Sequence, residues 1–282
     1  MESPRTMRRE SFDVNDSHAA IVAHASQICK WTYNLAMANT KPDVRVFENL
    51  NLLSRAAAEL FVETSVQAIL QRGRFLAALS GGNTPTELYK LLAQSPYKEQ
   101  VDWTHVHTFW GDERCVPIED SENSYRQAYD SLLSQVLIPA ENIHRVESDL
   151  EPAEAAKNYA NVLKQFASAP LDWPRFDLAL LGMGEDGHTA SLFPGSEVNV
   201  SLPTLAVTAR YQDRPAHRVT LTPLVFNSAR RIIFLVSGES KAQTLANVLY
   251  GGYDPKQLPA QRIRPTDGEV IWMVDKLAAK QL

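Results

Sequence analysis

Phe176–Pro194 reads FDLALLGMGEDGHTASLFP. The apolar run Phe176-Asp177-Leu178-Ala179-Leu180-Leu181 stops at Gly182-Met183-Gly184-Glu185-Asp186-Gly187, and His188 then opens a segment with helical potential. A short apolar run bounded by glycines reads as a parallel strand buried on both faces. The glycines let the chain leave the strand edge tightly and bring backbone N–H groups close to a ligand. Open α/β sheets place their ligands beyond the carboxyl ends of the strands, which is where this histidine falls. Imidazole, with an ordinary pKa of about 6.5, can take and return a proton near neutrality.

On either side of this stretch the chain alternates. Val44–Phe47, Phe75–Leu79, Val106–Trp110, Leu205–Thr208, Arg218–Leu221, Ile232–Val236 and Val270–Val274 read as further strands. Leu52–Gln71, punctuated by Gly73, reads as a long amphipathic helix. Further helices are expected from Pro85 onward, at Tyr125–Val136, at Pro152–Phe166 and at Lys241–Leu249. Strands alternating with helices imply βαβ units. The expected fold is α/β: a doubly wound, mainly parallel, Rossmann-like sheet with helices on both faces. Residues 41–282 would form this single domain. Residues 1–40 read as an N-terminal extension, polar at first and then partly helical over Ala19–Ala38.

The chain has 282 residues, of which 44% are hydrophobic and 22% charged, ordinary values for a globular protein with a substantial core. A net charge of −5 argues against bulk electrostatic binding of nucleic acid or of an anionic membrane. An anionic ligand therefore needs a local cluster of cations. Cys29 and Cys115 lack CxxC spacing and suggest no disulfide framework, so a reducing cytoplasm is the default compartment. No apolar run is long enough for a transmembrane helix. Arg5, Arg8 and Arg9 faintly resemble a targeting segment, but Glu2, Glu10, Asp13 and Asp16 accompany them without a secretory apolar region.

Ser80-Gly81-Gly82-Asn83-Thr84-Pro85 lies between a strand and a helix. Glycines there permit close approach, and a helix N-terminus offers unpaired N–H groups to a phosphate. The segment is neither a Walker A loop nor a GxGxxG fingerprint, and by itself reads equally well as a plain turn. Gly111-Asp112-Glu113-Arg114 also follows a strand, and could pair a carboxylate for hydroxyl groups with a guanidinium for phosphate. Alone it reads more simply as a surface ion pair on a loop. Cys115 reads as a small buried hydrophobe. His105 and His107, on one strand face with no third ligand nearby, read as structural, and no metal is expected. Arg218 and Lys241 add cations near later strand ends. With Arg114 and the glycine loop they make an anion site.

In this order the segments resemble the 6-phosphogluconolactonase family. The resemblance rests on LSGGNTP at Leu79–Pro85, WGDERCVP at Trp110–Pro117, Asn123-Ser124-Tyr125, LGMGEDGHTASLFPGS at Leu181–Ser196, HRVTLT at His217–Thr222 and SGESK at Ser237–Lys241. It covers about Val44 to Val274, implies a fold of the sugar-phosphate isomerase type, and says nothing of the first 40 residues.

Glucosamine-6-phosphate deaminases share the fold but carry a glutamate five residues beyond the DGH histidine and a tyrosine at the position of Arg114. This chain has Phe193 in the first of these positions, which favours the lactonase. The implied activity is hydrolysis of 6-phospho-D-glucono-1,5-lactone without a cofactor. His188 would be the acid–base residue, oriented by Asp112, Glu185 or Asp186, with Asp112 a further catalytic candidate. The Gly182–Gly184 turn would supply oxyanion donors. Gly81, Gly82, Asn83, Thr84, Arg114, Arg218 and Lys241 would hold substrate and phosphate. A deaminase-like isomerase and a non-catalytic sugar-phosphate sensor are the alternatives, and a monomer or weak homo-oligomer is expected.

Overall fold

The computed structural model describes residues 41–209 and 215–282. The expected extension over 1–40, its helix at Ala19–Ala38 and Cys29 lie outside the described residues. Pro42–Leu282 form one compact unit. No helix among the described residues is long and apolar enough to cross a membrane.

The elements run in the order β1 (Asp43–Phe47), α1 (Leu50–Arg72), β2 (Phe75–Leu79), α2 (Asn83–Leu92), β3 (Val106–Trp110), β4 (Asp112–Arg114), α3 (Ser124–Ser131), α4 (Pro152–Gln165) and β5 (Leu178–Leu181). After these come β6 (Thr204–Thr208), β7 (His217–Leu221), β8 (Arg231–Val236), α5 (Ala242–Tyr250) and β9 (Glu269–Asp275). Six strands form one sheet in the order β1-β9-β8-β5-β2-β3, and every adjacent pair is parallel.

Side-chain parity builds this layer. Along β2, Phe75, Ala77 and Leu79 join one core with Leu53 and Phe61 of α1 and Leu88 of α2. The intervening Leu76 and Ala78 join a second core with Tyr159 and Leu163 of α4 and Leu245 of α5. Successive strand residues point to opposite faces, so FLAAL serves both cores only because helices cover both sides. The doubly wound, mainly parallel fold follows from that pattern. The long helix α1 ends cleanly: the Asn49 side chain accepts from Leu52 N–H at 3.1 Å, and Gly73 closes the last turn at φ 73°.

Five expectations need correction. Leu205–Thr208 and Arg218–Leu221 do not extend the main sheet, because β6 and β7 form a separate antiparallel sheet with β4 in the order β4-β7-β6. The Asp112–Arg114 segment, read as a loop, is the edge strand of that sheet. Gly111 makes the transition: its N–H donates to Leu79 O in one sheet and its carbonyl accepts from Leu221 N–H in the other, both at 2.8 Å. Pro85 is the third residue of α2, not its first, and α3 stops at Ser131 where a 3-10 turn, Leu133–Gln135, takes over. No helix follows His188: Thr189 and Leu192 form a β-bridge, and Ala190 takes a left-handed conformation at φ 48°.

Candidate active site

The segments that follow β2, β3, β5 and β8 at their carboxyl ends line one cavity of about 300 Å³. Ser80–Pro85, Asp112 and Arg114, Gly182–Glu185 with His188, and Ser237 and Lys241 all face it, joined by Arg218 from β7. Every expected site residue lines this space except Asp186, which packs against the histidine.

In the turn after β5, Asp186 Oδ1 lies 2.6 Å from His188 Nδ1 and also accepts from the His188 backbone N–H at 3.1 Å. Burial works to raise the Asp186 pKa, but the bonds from His188 outweigh it and hold the carboxyl below its ordinary value. Of the three carboxylates considered for orienting His188, Asp186 makes that contact. Asp112 instead accepts from the Ser191 hydroxyl at 2.6 Å, and Glu185 lies 3.7 Å from Lys241 Nζ. Gly187, at φ 82°, is the one glycine of the turn in the left-handed region. Gly184 is required for a different reason: a Cβ there would stand 2.0 Å from His188 Nδ1. Its N–H also donates to His188 O at 2.9 Å, so that donor is spent inside the turn and does not serve an oxyanion.

The glycine loop shows the same pattern. A Cβ on Gly81 would meet Ser124 Oγ at 2.4 Å, so α3 can approach only a glycine. Gly82 stands at φ 111°, and its N–H donates to Gln127 Oε1 at 2.9 Å, which removes it from the expected phosphate donors. Asn83 and Thr84, in the first turn of α2, carry N–H groups with no intrahelical acceptor.

β4 pairs with β7 so that Arg114 and Arg218 are direct cross-strand partners, both almost fully buried. Arg114 Nη1 donates to Glu122 O and lies 3.5 Å from Glu122 Oε2, while its buried Nε has no hydrogen-bond partner among the described residues. Between Asp112 and Arg114, Glu113 points the other way into the protein. Its carboxylate accepts from Arg114, Ser124 and Tyr125 N–H at 2.7 to 2.8 Å and so ties β4 to the start of α3. Burial pushes its pKa up to about 7 against those three donors. Burial, together with Glu113 and Glu151, pushes the half-buried Cys115 thiol up to about 11, in keeping with an unreactive residue.

Two supporting residues escaped the sequence reading. In the sequence Glu113 is simply one of two acids before Arg114. Asp275, at the end of β9, accepts from Ser237 Oγ at 2.5 Å and from Gly238 N–H at 3.1 Å, which fixes the loop that leads to Lys241. His105 and His107 do not share a strand face. His105 closes a 3-10 turn and lies 2.8 Å from Asp102, whereas His107 on β3 stacks on His144.

A sequence profile described as "Glucosamine-6-phosphate isomerases/6-phosphogluconolactonase" matches residues 48–272. The chain is 38% identical over 243 residues to the "6-phosphogluconolactonase" of Synechocystis, a match spanning 86% of this chain and 98% of that protein. It is 40% identical over 205 residues to the one from Haemophilus influenzae, covering 73% of this chain and 86% of that protein. Among solved structures, the 6-phosphogluconolactonase of Trypanosoma brucei superposes with a TM-score of 0.74 at 29% identity, over 86% of this chain and 99% of that one. Profile, relatives and fold agree: the chain belongs to the glucosamine-6-phosphate isomerase/6-phosphogluconolactonase family, and within it resembles the lactonases.

Proposed function

We propose that this cavity hydrolyses 6-phospho-D-glucono-1,5-lactone to 6-phospho-D-gluconate, a step of the oxidative pentose phosphate pathway. The observation that carries the mechanism is the Asp186–His188 pair at a cavity that Arg114, Arg218 and Lys241 also line. With Nδ1 engaged by Asp186, proton exchange falls to Nε2. Nε2 takes a proton from water as the water oxygen attacks the lactone carbonyl. The tetrahedral adduct then collapses, the carbonyl carbon–ring oxygen bond breaks, and the imidazolium returns its proton to the departing ring oxygen. Asp186 stays ionised throughout and steadies the imidazolium between the two transfers.

Arg114, Arg218 and Lys241, with the N–H groups of Asn83 and Thr84, bind the phosphate. Binding at that remote group sets the lactone carbon against His188. Asp112, anchored by Ser191, accepts from a substrate hydroxyl and sets the ring's rotation. The lactone is reactive enough that this assignment calls on no cofactor.

The deciding test is a rapid assay on freshly generated lactone, corrected for spontaneous hydrolysis. Turnover well above background is expected. Ammonia release from glucosamine 6-phosphate would replace this reading with the deaminase. Tight binding of 6-phosphogluconate with no turnover of either substrate would replace it with a sensor.

A further inference from the structure

We infer that Phe193 is a positioning residue of this site, its ring joining the His188 imidazole to the Arg218 guanidinium. The reading of what those two groups do rests on the lactonase proposal above, but the way they are held does not. The Phe193 and His188 rings lie with centroids 4.6 Å apart and planes tilted by 35°. Arg218 Cζ sits 5.4 Å from the centroid of the same phenyl ring. One apolar side chain therefore touches both the proposed base, in the turn after β5 of the main sheet, and a proposed phosphate ligand on β7 of the other sheet.

The Asp186 contact holds the imidazole at Nδ1, and the Phe193 ring packs against the same imidazole. That second ring limits how far the imidazole can tilt. The phenyl ring can do this only if it is itself held, and its backbone is. The Phe193 carbonyl accepts from Ser196 N–H at 3.1 Å and from Ser196 Oγ at 2.6 Å. Ser196 is in turn gripped by buried Arg262, whose Nη1 lies 3.1 Å from Ser196 Oγ and whose Nη2 donates to Ser196 O at 2.9 Å. Arg262 Nε reaches across to Pro255 O at 2.7 Å. The turn that carries the ring is thus bolted to the segment before β9.

The π face has a second effect, since it attracts cations. Arg218 is always a cation, and imidazole becomes one midway through the proposed reaction. A bolted phenyl ring next to both sets their spacing, and so the register between phosphate and lactone carbon.

The test compares Phe193→Leu and Phe193→Tyr with the parent protein, Phe193→Met standing in should the leucine variant not fold. Loss of the ring should lower kcat about 10-fold and raise KM together, because base and cation are both released. Phe193→Tyr, which keeps the ring, should restore both constants. A second readout needs no activity: the His188 ring-proton resonance, identified by its loss in His188→Asn, should be shifted by the phenyl ring current, move in the leucine variant and stay put in the tyrosine variant. Unchanged kcat and KM in folded Phe193→Leu, or an unmoved His188 resonance, would overturn the inference. Absence of lactone turnover in the parent protein would sink the functional reading and leave the resonance test standing.

Discussion

Arg114 and Arg218 face each other directly across the antiparallel pair β4·β7, each almost wholly shielded from water. Like charges in that relation repel, and the repulsion is weakly screened where solvent is excluded. An anion between them reverses the sign of the interaction. Inorganic phosphate should therefore raise the melting temperature, with stabilisation of about 2.7 kcal/mol at a hundredfold excess over Kd. Arg114→Ala should lose most of that gain and raise KM with kcat largely kept, because it removes binding common to ground and transition states.

His188→Ala should lower kcat by about 10²- to 10⁴-fold, the usual contribution of a placed acid–base group. Affinity for 6-phosphogluconate, measured by calorimetry, should barely change. Turnover near the parent rate in this variant would remove His188 from the mechanism.

Asp186→Asn tests a subtler point. The amide can present N–H where the carboxylate accepted, which favours the opposite imidazole tautomer. A loss of kcat of about 10²-fold or more is expected with KM little altered. Asp112→Asn should instead act mainly on KM, since Asp112 bonds to Ser191 while Asp186 is the carboxylate at His188 Nδ1.

Gly184→Ala places a methyl group 2.0 Å from His188 Nδ1 and 2.7 Å from Asp186 Oδ1. Neither can retreat without breaking the pair. Activity should fall as far as in the Asp186 variant, while the melting temperature drops by only a few degrees, equivalent to about 1–3 kcal/mol.

The stacked pair of His107, on β3, and His144, in the loop beside it, makes stability depend on acidity. Burial, with neighbouring His107, pushes the His144 pKa down to about 4, and burial first, then Arg74 and His105, lowers that of His107. The unfolded chain takes up these protons near pH 6.5, the folded one only lower. Their contribution is thus fully present above about pH 6.5 and is lost as pH falls toward 4. Denaturant midpoints measured across that range should slope less steeply in His144→Phe.

Much of this was legible because it is local. FLAAL, RIIFLV and FDLALL announce two-faced strands by composition, and a glycine-rich exit ending in histidine marks its own place at the sheet edge. What stayed hidden was non-local or stereochemical. The choice of Asp186 over Asp112 or Glu185 depends on how one turn closes, which spacing does not encode. The pairing of β4 with β7 joins distant segments, and the three-residue strand Asp112–Arg114 is too short to carry a periodic signal. Glu113 and Asp275 hold backbone N–H groups, a role that leaves no mark in the pattern of side chains. The spent donors of Gly82 and Gly184 teach the same lesson from the other side. Glycine was required at 184 for the room it leaves, not for the N–H it carries.

The place of β9 between β1 and β8 sets the order in which the molecule can be assembled. Among the described strands β1 is made first, yet the strand it pairs with in the sheet, β9, is the last of them to be made. The edge of β8 also waits exposed until then, and the loop carrying Lys241 lacks its Asp275 anchor. Such long-range pairing folds slowly and leaves unpaired strand edges in the interim. Chains truncated before Glu269 should therefore be protease-sensitive at the Ser237–Lys241 loop and catalytically silent, although every residue lining the cavity is already present.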